Sequence, residues 1–220
     1  MRDDDPFQGD DPEMSRLLVL GAGGNGRVVA DVASIIGDWH HIAFLDDHPG
    51  DSPARDQWEV LGPCAELPQH APAFDAAVVA FGDNALRERW FDRVLECDLE
   101  PATIVAPTAS VSPRCLLGPG TVIMPQAVVN VGSITGRCCL VNTASTIDHD
   151  CCLGDAVHVS PGANLGGGVR VGDRTWIGIG ASVNHEVTIG KDVVVGGGAA
   201  VVADLPDACC AVGVPARVRT

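Results

Sequence analysis

The sequence predicts two joined folds: a small α/β domain over residues 15–102 and a parallel β-solenoid over residues 103–203. Three observations predict this. Every sixth residue from Val105 to Val201 is Val, Ile or Leu at 16 of 17 positions, Thr135 being the exception. Between Arg16 and Leu45 an aliphatic run, a glycine-rich loop, an amphipathic stretch and a second aliphatic run follow one another. Aromatic residues are only 4% of the chain and Tyr is absent, which suits an interior too narrow for rings.

In chain order, residues 1–14 carry six acids and one Arg, with Pro and Gly and no periodicity. Such a segment cannot bury enough apolar surface to order itself and is expected to be disordered. Arg16 to Leu20 then reads as a strand. Gly21-Ala22-Gly23-Gly24-Asn25-Gly26 is the loop, and Val28 to Ile36 the helix, ending at Gly37. His41 to Leu45 is the next strand, closed by Asp46-Asp47. Glycines in this position let a backbone approach a phosphate or sugar, and the helix N-terminus favours negative charge. The loop with Asp46 also satisfies the dinucleotide pattern of G-x-G-x-x-G followed by an acid. A short strand is expected at Glu59–Leu61, a buried strand at Asp75–Phe81 and a helix from Ala85 to about Cys97. About 88 residues make roughly half of a full dinucleotide-binding fold, so a mononucleotide fits better than NAD.

The hexads follow. Residues two apart on a strand share a side, so each aliphatic and the small or β-branched residue two before it both face inward. Glycine directly follows the aliphatic at 118, 154, 166, 172, 178, 190 and 196, and is expected to supply a positive φ at the corner. Three hexads make one 18-residue coil, and coils stack roughly 4.8 Å apart, each held by its neighbours. Cys115, Cys139 and Cys151 fall on inward positions; Cys138 and Cys152 should point outward. The repeat stops at Asp204-Leu205-Pro206, and residues 204–220 form a tail expected to fold back on the last coil or a neighbouring subunit.

Charge and composition narrow the partners. The net charge is −15, with 15 acids against six Arg in residues 15–102 but eight against seven in 103–220. Nucleic acid and anionic membrane are disfavoured, and no run of about 20 apolar residues is present to span a bilayer. Nine cysteines without paired C-x-x-C spacing argue against a disulfide framework or a zinc ribbon. These features predict a soluble, cytoplasmic protein.

Chemistry could sit at His149, His158 or His185. His149 lies at a corner between Asp148 and Asp150; a carboxylate beside an imidazole raises its pKa and fixes its tautomer, as a general base needs. His158 is nine residues on, half a coil round, so the two meet only if subunits pack side by side. His185 is two coils beyond His149 on the same corner, roughly 10 Å along the axis, and reads as wall or bystander. Three histidines could hold zinc, but spacings of nine and 27 are in the wrong order, and no metal is assigned.

GAGGNG, FLDD, Gly82 with Asn84 after it, NTASTIDHD, GDAVHVSPGA, VVGGGAAV and GVPA occur in this order. Over residues 16 to about 217 the chain resembles the bacterial nucleotide-sugar acetyltransferases grouped with the sialic-acid O-acetyltransferases. It looks closest to the N-acetyltransferases of nucleotide-linked 4-amino-4,6-dideoxy sugars in bacillosamine and perosamine pathways. The resemblance implies a Rossmann-like N-terminal domain and a left-handed parallel β-helix. It implies an acetyl-CoA-dependent N-acetyltransferase, a homotrimer with active sites between subunits, in which His149 is the base and Asp150 raises its basicity. It assigns His158, Gly167, Ile179 and Gly197 to acetyl-CoA, and Gly23, Gly24, Asn25, Asp46, Asp47, Gly82 and Asn84 to the nucleotide sugar. Many relatives carry His where this chain has Asn25, so that contact should differ. Arg170, Arg174, Lys191, Arg217 and Arg219 are candidate partners for the CoA phosphates. Competing readings are O-acetylation of sialic acid or a related sugar, a non-catalytic nucleotide-sugar binder, and an NAD-binding protein.

Overall fold

The computed structural model describes residues 15–48 and 53–219; the acidic segment 1–14 lies outside them. The N-terminal unit runs β1 (Arg16–Leu20), α1 (Gly24–Ile36), β2 (His41–Leu45), β3 (Glu59–Gly62), α2 (Leu67–His70), β4 (Ala76–Val79), α3 (Asn84–Glu96) and β5 (Glu100–Pro101). The strands form one parallel sheet in the order β3-β2-β1-β4-β5. Strands β1 and β4 are aliphatic on both faces because helices cover both, and Leu17, Leu18, Val19 and Leu20 are fully buried. α1 starts at Gly24, one turn earlier than its first apolar residue, Val28, suggested. Gly26 allows this: a Cβ there would collide with the Gly21 carbonyl, so helix and β1 could not approach.

From Ile104 the chain winds as a triangular tube of two-residue strands in three parallel sheets. Register confirms the 18-residue coil: Leu140 pairs with Val122 before it and His158 after it, each 18 residues away. The inward aliphatics Ile123, Val141, Ile147, Val159 and Ile177 are buried in one continuous core. The small inward positions that carry polar atoms satisfy them on carbonyls: Ser133 Oγ donates to Asp148 O at 2.6 Å and Thr175 Oγ1 to Gly190 O at 2.7 Å. Thr135, the break in the aliphatic series, is buried and its hydroxyl accepts from Gly118 N–H at 3.1 Å.

The glycine after each aliphatic has a different role from the one expected. Positive φ falls two residues later, on Gly162, Gly168 and Gly180 but also on Cys138, Ala144, Asp150, Ala156, Arg174, Glu186 and Asp192. A left-handed non-glycine residue costs about 1 kcal/mol; here its N–H is fixed by the previous coil, as in Asp150 N–H to Val131 O at 3.1 Å. The glycine at 118, 154, 166, 172, 178, 190 or 196 is needed for closeness. A Cβ at Gly172 would lie 2.5 Å from Lys191 N, and one at Gly178 2.7 Å from Gly197 N. It is the next coil that excludes the side chain.

The repeat also runs past Val201. Leu205 bridges to Ile189, and Cys210–Val212 pairs with Val194–Val195 sixteen residues back rather than 18. Arg217–Val218 then returns antiparallel on Cys210–Val212, with Ala216 N–H donating to Ala200 O at 2.7 Å. The tail therefore closes on the last coil of its own chain.

The two units share a packed interface. Cys138 points out of the tube as expected but is buried, 1% exposed, under the N-terminal unit, and burial pushes its thiol pKa up to about 12. Arg87 of α3 is 2% exposed and donates to Cys138 O at 2.9 Å, Ala156 O at 2.8 Å, Phe81 O at 3.0 Å and Asn84 Oδ1 at 2.9 Å. Around it, Arg137 pairs with Asp92 and Asp155, and Arg174 with Glu88 and Asp192.

Candidate active site

His149 sits on the exposed corner after Thr146–Ile147. Its N–H donates to Asp148 Oδ1 at 2.8 Å, and the same oxygen accepts from Asn130 Nδ2 at 2.9 Å. Those two bonds hold the Asp148 carboxyl below its usual range and pin the turn. Asp150, in the left-handed conformation at φ 59°, turns its carboxylate back so that Oδ2 lies 2.8 Å from His149 Nδ1. That hydrogen bond, followed by the nearby Asp148 charge, raises the imidazole pKa above its ordinary value. With the proton on Nδ1 held by Asp150, the lone pair of the neutral ring is on Nε2.

Two glycines make room for this pair. Gly132, one coil before Asp150, has φ 75°, and a Cβ on it would meet the Asp150 carboxylate. Gly167, one coil after His149, lies under the ring: a Cβ there would be 2.5 Å from Nε2. The N–H of Gly167 makes no hydrogen bond among the described residues. Gly132 was missed from sequence; the 18-residue period from Asp150 identifies it. We expect Gly167→Ala to displace the ring and lower turnover at least 10²-fold while the melting temperature stays within a few degrees; steady-state kinetics and thermal melts on one preparation check this.

A cavity of about 570 Å³ opens over this corner, lined by Asp148, His149, Asp150, Gly166–Gly168 and by Asn184, His185 and Glu186 two coils on. Of the two expectations for His185, wall or bystander, the structure favours the wall: it lines the same cavity.

The other assigned residues are elsewhere on this chain. Ile179, 63% exposed, and Gly197 share a different corner of the triangle, where a Cβ on Gly197 would touch the Ile179 side chain at 3.2 Å. His158 lies on the sheet beneath the N-terminal unit and is 7% exposed. It stacks on Trp176 with centroids 5.7 Å apart and planes 3° from parallel. Burial, then the Arg87 charge, pushes its pKa down to about 3, so the ring is neutral. The Asn142 amide is oriented by Thr143 N–H on its oxygen, at 2.8 Å, so its NH₂ faces His158 Nε2 at 3.2 Å. Nε2 thus accepts, and Nδ1 carries the proton beside the Gly82 backbone, without a well-formed hydrogen bond among the described residues. A second cavity, about 480 Å³, lies here between Gly82, Ala85, His158, Trp176 and Val194.

At the glycine loop, α1 has no side-chain cap and no acid in its first turn, and Gly23 and Gly24 have open space where a Cβ would point. Asn25, Asp46 and Asp47 are partly engaged in structure. Asn25 Nδ2 donates to Ala80 O at 2.9 Å, Asp46 accepts from Ala22 and His48 N–H, and Asp47 accepts from Cys64 N–H. Gly82 is open, and Asn84, which lines the second cavity, is 8% exposed, donates to Arg174 O at 2.8 Å and accepts from Arg87. Arg174 also lines that cavity and is ion-paired with Glu88 and Asp192.

A glycine-loop α/β unit fused to a hexad-repeat tube with a corner His–Asp pair defines a hexapeptide-repeat transferase. Residues 168–203 match the bacterial transferase hexapeptide family, and residues 16–94 match the PglD N-terminal domain. No curated protein matches the chain. Among solved structures, the acetyltransferase domain of PglB from Neisseria gonorrhoeae FA1090, in complex with acetyl coenzyme A, is 38% identical. That match covers 94% of this chain and 100% of that one with a TM-score of 0.89. PerB from Caulobacter crescentus, in complex with CoA and GDP-perosamine, is 35% identical over 94% and 98% of the two chains, TM-score 0.88. The chain belongs to the nucleotide-sugar acetyltransferase family and is an acetyltransferase, its tube the left-handed parallel β-helix of that family. WeeI from Acinetobacter baumannii AYE, 24% identical with TM-score 0.85, shares the fold.

Proposed function

We propose that this protein transfers the acetyl group of acetyl-CoA directly to the 4-amine of a nucleotide-linked 4-amino-4,6-dideoxy sugar, with His149 as general base. The observation that carries this is the His149–Asp150 pair poised over side-chain-free Gly167. The amine attacks the thioester carbonyl, Nε2 of His149 takes its proton, and Asp150 stabilises the imidazolium. The Gly167 N–H has no partner among the described residues and can donate to the developing oxyanion. The relatives crystallised with acetyl-CoA, CoA and GDP-perosamine support the two substrates.

In this reading residues 15–102 hold the nucleotide sugar, with the diphosphate at the uncapped N-terminus of α1 near Gly23 and Gly24. Residues 103–203 carry out the transfer, and 204–220 close the tube. His158 offers its Nδ1–H to acetyl-CoA, and Ile179 and Gly197 line the cofactor channel. Because His149, His158 and the Ile179–Gly197 corner lie on different faces of one tube, the complete site forms between subunits of a homotrimer. The described residues contain no helix long and apolar enough to cross a membrane; the enzyme works in the cytoplasm, where its cysteines stay reduced.

The test is an acetyl-transfer assay with acetyl-CoA and a panel of nucleotide-linked 4-amino sugars, run against free sialic acid. N-acetylation of the amino sugars is expected; exclusive O-acetylation of sialic acid would replace this reading. A pH profile examines the dyad. Asp150→Asn removes the carboxylate that favours imidazolium, so the His149 pKa falls. The acid limb of kcat/KM, where the base is lost to protonation, then moves to lower pH. An acid limb that stays in place would remove Asp150 from this role.

A further inference from the structure

The His149 corner is repeated. Asp148-His149-Asp150 and Asn184-His185-Glu186 occupy the same corner two coils apart, and Asp150 and Glu186 both adopt φ 59°. Between them the coil presents Gly166-Gly167-Gly168, so a whole corner is bare backbone flanked by two histidines. A Cβ on Gly166 would lie 2.8 Å from His185 N, and one on Gly168 3.5 Å from Glu186 Cγ; these glycines keep the slot open. The two dyads differ in one respect. His149 is tied to its acid at 2.8 Å, whereas the His185 ring makes no such bond among the described residues and is exposed.

The backbones of the two histidines lie roughly 10 Å apart, but His149 Nε2 reaches over Gly167, one coil spacing of about 4.8 Å from the coil of His185. Both rings line one cavity, so a thioester held by the Gly167 N–H, with the amine on the His149 side, turns its sulfur toward His185. We infer that His185 faces the thioester sulfur and donates a proton to it as the acyl–sulfur bond breaks. This rests on the acetyl-transfer reading above. In the step, the amine lone pair forms the C–N bond and His149 accepts the amine proton. The C–S pair goes to sulfur, which takes the proton from His185 to leave as CoA thiol. Solvent then moves a proton from His149 to His185, and no other reactant is required.

The experiment compares His185→Gln with wild type using acetyl-CoA and S-(4-nitrophenyl) thioacetate, whose thiolate leaves without protonation. With acetyl-CoA, kcat is expected to fall about 10²-fold, with KM for both substrates little changed. With the aryl thioester, kcat/KM of the variant should stay within about threefold of wild type. The exposed position predicts an unchanged melting temperature. An equal loss with both donors makes His185 a structural element and overturns the inference, as does an unchanged kcat with acetyl-CoA while His149→Asn is inactive. A wild-type enzyme that acetylates no amine with either donor overturns the function itself and this step with it.

Discussion

Under the proposed mechanism, replacing His149 with Asn is expected to lower the turnover of acetyl transfer by about 10²–10⁴-fold, the usual contribution of a positioned general base. Michaelis constants for acetyl-CoA and the amino sugar change little, because Asn fills nearly the same volume and can keep a hydrogen bond to Asp150. Stability should not follow activity. The His149 side chain is 57% exposed and the turn is pinned by its backbone through Asp148 and by Ser133 Oγ under Asp148 O. Single-turnover kinetics separates the chemical step from binding; unchanged turnover would remove His149 from catalysis.

Much of this site was readable in the sequence because the tube converts position into arithmetic. A residue's corner mates lie 18 places away, so one phase assigned the core, the corners and the shared cavity of His149 and His185. What the sequence could not convey was why a residue type occurs. A glycine shows that no side chain is present. It does not say whether φ or a neighbouring coil forbids one, and at Gly172 and Gly178 it is the neighbouring coil. Asn84, assigned to the nucleotide sugar by resemblance, and Arg174, offered as a cation, are also engaged across the domain interface. Their partners lie some 90 residues away, beyond the reach of local pattern. Arg87 was invisible for the same reason: a cation within a helix rich in charged residues reads as solvated.

Arg87→Met carries the second large effect. The guanidinium satisfies the carbonyls of Cys138 and Ala156, both in buried residues of the tube, and those of Phe81 and Gly82 at the end of the strand before α3. Its own pKa is lowered by burial, yet hydrogen bonds on every side retain the charge. Methionine replaces the stem but leaves the Cys138 and Ala156 carbonyls without donors. An orphaned buried acceptor costs about 1–3 kcal/mol, so a loss of about 3 kcal/mol is expected in urea unfolding. The N-terminal unit should also begin to melt separately from the tube. Arg93→Met, an exposed change on the same helix, should stay within about 0.5 kcal/mol. Equal midpoints for the two variants would contradict this account of the interface.

The same clasp bears on how the enzyme discriminates among sugars. Arg87 and Cys138 are buried between the two units, and parting them would strand the hydrogen bonds of Arg87 to Cys138 O and Ala156 O and of Asn84 to Arg174 O at once. The distance from the uncapped end of α1 to the acyl-transfer tube is therefore a fixed gauge. A longer or shorter substrate cannot be met by hinge closure, only by exchanging side chains along that span. Acceptor preference should accordingly change through point substitutions at the rims of the cavities, with the relative placement of the units left as it is.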